Sequence, residues 1–131
     1  MWAQKFAFAI GVVLTVLIAA GMSSAAPAED TDRAVEYLLD QVARSDCTFI
    51  RNGQSYDVQQ AMAHLRSKYK YFKSQIQTPE DFIRLAATKS EITGKPYQIR
   101  TRDGRVFTSA EWLTGILAEY RSIQPASANP P

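Results

Sequence analysis

The chain has 131 residues, which is enough for one small domain with a hydrophobic core but not for two. Its 15 basic and 13 acidic residues leave a formal net charge of only +2. Cys47 is the only cysteine, so an intramolecular disulfide is excluded. His64 is the only histidine, and no His-x-x-x-His or Cys-x-x-Cys spacing occurs. We therefore expect neither a metal site nor a cofactor.

The N-terminal segment has the three-part order of an export signal. Lys5 supplies a positive charge, residues 6–20 form an unbroken apolar run, and Ala26-Pro27-Ala28 places small residues where signal peptidase acts. The run is shorter than the roughly 20 residues of a membrane-spanning helix. We predict a signal peptide at residues 1–28 with cleavage before Glu29, and contact with a membrane only through this segment before cleavage.

Hydrophobic spacing and capping residues predict four helices in the remaining chain. The first is capped by Thr31 or Asp30 and ends near Arg44, with Val35, Leu38, Leu39 and Val42 on one face. The others begin at Asp57, Thr78 and Thr108, and the last two end near Ser90 and Ser122. The expected buried stripe of the second helix contains Val58, Ala61, Met62, Leu65, Tyr69 and Phe72.

Two turn signals predict one or two short β-hairpins between the helices, since the short arms of the first also fit a turn flanked by one or two bridges. Asn52-Gly53 separates the β-prone residues 47–50 and 54–56, and Arg102-Asp103-Gly104 separates residues 97–101 and 105–108. Because the helices and hairpins do not alternate as parallel βαβ units, we predict an α+β fold dominated by helices. A single compact domain is expected at residues 29–122, followed by a disordered tail at residues 123–131.

The basic residues concentrate in the middle of the chain and suggest a site for an anion. Residues 47–105 hold eleven basic and five acidic residues, and no acid occurs from Val58 to Thr78. The backbone N–H groups of Asn52-Gly53 and Thr93-Gly94 would add donors for a carboxylate or phosphate. The alternative is that Arg51 and Asn52 hold the turn and that Gly94 only shapes a loop. The candidate ligand-binding residues are Arg51, Asn52, His64, Lys68, Lys95 and Tyr97.

Two other functions remain open at this stage. A small hydrolase or thiol-dependent enzyme would use Cys47 or Ser90 as nucleophile with His64 as base and Asp57 as orienting group. A protein-interaction module would use residues 105–108 as an exposed edge strand. We expect Cys47 to be a buried small apolar residue. Expected export and the absence of a recognised motif argue against a nucleic-acid partner.

Several short motifs resemble one known family. They are the run Phe49-Ile50-Arg51-Asn52-Gly53, the run His64-Leu65-Arg66, and Ile92-Thr93-Gly94-Lys95-Pro96-Tyr97. The chain is similar over residues 35–121 to the YfeK-like family of small exported proteins from Gram-negative bacteria, a domain of unknown function. The resemblance implies a periplasmic location and a single domain, and no reaction or ligand. Some members carry a cysteine where this chain has Val58, so a shared redox pair is not implied.

Residues and resemblance together predict an exported periplasmic protein that is a non-enzymatic binding or interaction module. Its expected partner is an anionic component of the cell envelope or an envelope protein.

Overall fold

A computed structural model describes residues 29–124, and these residues form an α+β fold, as predicted. The predicted signal peptide at 1–28 and most of the predicted tail lie outside the described residues. None of the helices within residues 29–124 is long and apolar enough to span a membrane. The elements are α1 (Thr31–Arg44), β1 (Thr48–Arg51), β2 (Gln54–Tyr56), α2 (Val58–Phe72), a 3₁₀ turn (Lys73–Gln75), α3 (Pro79–Ala86), β3 (Gln98–Arg100), β4 (Val106–Thr108) and α4 (Ser109–Ile123).

Each helix begins at a polar side chain that caps its first turn. Asp30, rather than Thr31, caps α1 by accepting a hydrogen bond from the N–H of Arg33. The other three helices begin with reciprocal capping boxes, in which the capping side chain and the residue three positions later satisfy each other's backbone N–H groups. These boxes pair Asp57 with Gln60, Thr78 with Asp81, and Thr108 with Glu111.

The two predicted hairpins join into one antiparallel sheet of order β2-β1-β3-β4. Both turns have backbone with positive φ, at Asn52 and Gly53 in the first and at Gly104 in the second. Phe49 on β1 lies opposite both Tyr56 and Ile99. Because side chains alternate along a strand, Arg51 shares the face of Phe49 and Ile99, whereas Arg100 lies on the opposite face. The sheet therefore carries Arg51 on the side that the helices cover.

The hydrophobic core lies among the four helices and extends to the covered face of the sheet. Helices α2 and α4 contact the sheet. Helices α1 and α3 each pack against α2 and against α4. The predicted apolar face of α1 is fully buried, and Phe82 of α3 and Ile99 of β3 are also inaccessible to solvent. The edge strand predicted at residues 105–108 is β4, which lies at one margin of the sheet.

Two details of the sequence prediction are wrong. Helix α3 ends at Ala86, not near Ser90, because the Thr88 hydroxyl donates to the carbonyl of Ile83 and Lys89 then bridges to Pro96. In the predicted stripe of α2, only Ala61 and Leu65 are buried. The other four residues of the stripe are partly exposed, and three of them, Met62, Tyr69 and Phe72, pack at the margin of the core.

Candidate functional site

A cavity of about 380 Å³ lies between the covered face of the sheet and helices α2 and α4. Its walls are largely apolar and include buried core residues together with the half-buried rings of Phe49 and Trp112, which meet edge to face at 6.3 Å. The cationic residue Arg51 also lines the cavity, together with three residues whose aromatic rings carry polar atoms, namely Tyr56, His64 and Tyr97. An apolar cavity with a few converging polar groups is typical of small-molecule sites.

The guanidinium of Arg51 is held by uncharged side chains. Its Nη1 donates to Nδ1 of His64 at 2.8 Å, and its Nη2 donates to the hydroxyl of Tyr56 at 3.3 Å. The guanidinium carbon also lies 4.8 Å from the centre of the Tyr56 ring. Tyr56 in turn donates to Oε1 of Gln54 at 3.0 Å. These contacts fix the orientation of Arg51 without neutralising its charge.

The Arg51 contact defines the tautomer of His64. A guanidinium has only donors, so Nδ1 of His64 must accept, and the proton of the neutral ring lies on Nε2. Nε2 then donates to the hydroxyl oxygen of Tyr97, 3.1 Å away. The rings of His64 and Tyr97 meet edge to face at 5.5 Å. The hydroxyl hydrogen of Tyr97 is left available for an acceptor.

The surroundings of His64 keep its ring neutral. Burial, followed by the positive charges of Arg51 and Lys68, lowers the pKa of His64 from 6.5 to about 4. A protonated ring would also direct an N–H at the N–H of Arg51 and break the hydrogen bond between them. At neutral pH, the imidazole is therefore an acceptor for Arg51 and not a second cation.

Lys68 extends the cationic cluster on the next turn of α2. Its ammonium donates to the carbonyl of Lys89 at 3.2 Å and lies 3.4 Å from the Tyr97 hydroxyl. Glu91 is 3.5 Å away and partly offsets the charge. Burial is the main cause that lowers the pKa of Lys68, and Glu91 opposes it.

The cluster has more hydrogen-bond donors than acceptors. Among residues 29–124, no carboxylate forms an ion pair with Arg51, whereas Lys68 has Glu91. Only two of the five N–H groups of Arg51 are used by His64 and Tyr56. The arrangement can therefore accept a carboxylate, a phosphate or another group that offers several oxygen acceptors.

The structure brings four of the six predicted site residues together. Arg51, His64, Lys68 and Tyr97 form one contact network, but Asn52 and Lys95 do not join it. Asn52 instead ties the hairpin turn to the loop after α3, since its amide contacts the hydroxyls of Ser90 and Thr93. The Lys95 side chain is exposed, and within the described part of the chain no hydrogen bond or ion pair joins it to the cluster.

The expected backbone donors of the Thr93-Gly94 loop are not free. The N–H of Gly94 donates to the carbonyl of Ser90 at 2.9 Å, and the N–H of Thr93 lies 3.4 Å from the Ser90 hydroxyl. The loop thus satisfies its own donors, and an anion at this place would have to displace internal hydrogen bonds. The side chains, and not this loop, supply the donors of the site.

The groups considered for catalysis have other roles. Asp57 caps α2, and Ser90, which is buried, accepts backbone N–H groups of its own loop. Neither residue nor Cys47 is hydrogen-bonded to His64 within residues 29–124. Cys47 is also partly exposed, which contradicts the expectation of full burial, because it lies in the short connection that precedes β1.

Two important residues of the cavity were missed by the sequence analysis. Tyr56 was a member of a predicted strand only, although the pairing across a two-residue turn places it on the same face as Arg51 and diagonally across from it. Trp112 packs against the core from α4 and also lines the cavity. No local pattern links Trp112 with the hairpin, because the two are joined only by the packing of α4 on the sheet.

These features define a small α+β domain with a half-enclosed apolar cavity under a cationic and phenolic cluster. The chain belongs to a family of unknown function, DUF5329, which matches residues 29–121. It is 44% identical over 54 residues to the uncharacterized protein YfeK of Salmonella typhimurium, which covers 41% of this chain and 45% of YfeK. The chain thus matches less than half the length of this relative. The YfeK-like resemblance is confirmed, and no solved structure matches the chain.

The lowered pKa of His64 predicts a pH-dependent stability. As the pH falls from about 7 to 5, the unfolded chain protonates His64 near its ordinary value, whereas the folded ring stays neutral down to about pH 4. The free energy of unfolding should therefore fall with pH in this window, where carboxylates contribute little. In the His64→Gln variant, urea unfolding should show a smaller decrease of the free energy of unfolding between about pH 7 and pH 5. An equal pH dependence of the free energy of unfolding in the two proteins would contradict the assigned environment of His64.

Proposed function

We propose that this protein is an exported, non-enzymatic binding module of the periplasm, and that its cavity binds an anionic ligand of the cell envelope. The observation that carries the proposal is the cation at the cavity: Arg51 is oriented by His64 and Tyr56, and has no carboxylate partner among the described residues. A partly buried charge of this kind is stabilised when a ligand brings the opposite charge.

The roles of the polar residues support binding over catalysis. His64 uses Nδ1 to hold Arg51, so its lone pair is not available to activate a hydroxyl or thiol. Tyr97 and Arg51 both keep hydrogen-bond donors that have no protein acceptor in the described chain. Donors without a nucleophile or a free base favour recognition of a ligand over its conversion.

Anion binding can be tested with the smallest probes. Acetate and inorganic phosphate, titrated into the protein, should shift the NMR signal of the single histidine, with millimolar affinity that weakens as salt is added. Arg51→Gln should lower the affinity at least tenfold, because it removes the charge and the paired donors.

The matched control is Arg100→Gln. Arg100 is exposed on the opposite face of the same sheet, so this variant makes the same change of charge away from the cavity. We expect its anion affinity to equal that of the unaltered protein, and both variants to keep the urea midpoint within a few tenths of a molar. Equal loss of affinity in the two variants would mean that anions respond only to total charge, and the proposed site would be wrong.

Export has its own test. The family match begins at residue 29, and Glu29 forms a paired ion contact with Arg121 of α4 at 2.7 and 3.0 Å, which supports a domain that begins there. N-terminal sequencing of the protein from the periplasmic fraction should start at Glu29 or within a few residues. Recovery of chains that begin at Met1 in the membrane fraction would contradict a cleaved signal.

A further inference from the structure

The apolar walls of the cavity continue inward from Arg51 and are not needed to bind a bare anion. The floor consists of core side chains, including Val42, Leu65, Ala87 and Leu113, each no more than 7% exposed. Phe49 and Trp112 form the sides. A carboxylate or phosphate alone would occupy only the charged end and leave this apolar volume to water. A fitting ligand therefore has an apolar part attached to its anionic group.

We infer that the cavity takes a single-chain amphiphile, with its anionic head on Arg51 and Tyr97 and its short alkyl or acyl chain among the apolar walls. This inference rests on the proposed anion-binding function and names the class of its ligand. Both parts of the ligand meet matching chemistry, since the charged residue lies on the sheet face that also bears Phe49.

The volume limits the ligand to one short chain. A cavity of about 380 Å³ is near the lower end of the range for small-molecule sites. It equals the liquid volume of about a dozen water molecules, which suits a chain of roughly that many heavy atoms and not a two-chain phospholipid. Octanoate, with about ten heavy atoms, is a probe of suitable size, and octyl phosphate tests the other headgroup.

Calorimetry with a homologous series separates the chain from the charge. Butyrate, hexanoate and octanoate should bind progressively tighter, by about fourfold for each added methylene. Octanol has the same chain without the charge and should bind at least tenfold more weakly than octanoate. Arg51→Gln should lower the affinity for octanoate and leave the affinity for octanol unchanged. If octyl phosphate binds more tightly than octanoate, the anionic group of the ligand is a phosphate.

Filling the cavity tests where the chain lies. Ala61→Phe places a ring in the cavity from α2, and Ala63→Phe does so from an exposed position at its margin, where folding is less at risk. In each variant, octanoate should bind no more tightly than butyrate, while the affinity for acetate should be unchanged. Ala118→Phe, at an exposed position of α4 outside the cavity, is the matched control and should keep the full gain.

The outcomes distinguish this inference from the proposed function. Arg51-dependent binding that is equal for butyrate and octanoate would overturn the amphiphile and leave the anion site intact. Equal binding of octanol and octanoate, unaffected by Arg51→Gln, would overturn both. Binding to phosphatidylglycerol vesicles without binding of octanoate or octyl phosphate would identify a bilayer surface as the partner and would also overturn the inference.

Discussion

The hydrogen bond from Arg51 to a neutral His64 is the contact on which the organisation of the site depends. It requires the imidazole to be uncharged, which burial and the nearby cations enforce by lowering the pKa of His64 to about 4. The neutral ring then donates a hydrogen bond from Nε2 to the hydroxyl oxygen of Tyr97. One interaction thus orients the guanidinium, fixes the tautomer and leaves the positive charge without a protein counterion among the described residues.

The fold supplies this contact by joining three separate parts of the chain. A two-residue turn aligns β1 with β2 and brings Tyr56 beside Arg51, while the capping box at Asp57 begins α2 immediately afterwards, so that His64 lies two turns along. Pairing of β1 with β3 brings Tyr97 to the same place. The packing of α4 on the sheet then adds Trp112 and encloses the apolar cavity.

Local signals in the sequence were sufficient for the elements but only in part for the site. Capping residues and turn dipeptides predicted the starts of the helices and the positions of both turns, because each acts over a few residues. Arg51, His64, Lys68 and Tyr97, which meet in the structure, were four of the six candidate residues that the sequence pointed to by charge and by their place near two turns. Lys95 and Asn52 were grouped with them by residue type, although loop hydrogen bonds determine where they lie. The cavity itself forms because α4 packs against the sheet, and no local sequence pattern predicts this packing.

The titration of His64 by proton NMR, without ligand and with saturating octyl phosphate, tests the central claim most directly, because the chain contains one histidine and an alkyl phosphate stays anionic in the pH range where His64 titrates. Without ligand, His64 should titrate with a pKa of about 4. A bound phosphate beside Arg51 offsets the neighbouring positive charges and should raise this pKa, whereas octanol should not. A pKa near the ordinary 6.5 without ligand, or one that saturating octyl phosphate leaves unchanged, would contradict an uncompensated Arg51 as the anion site.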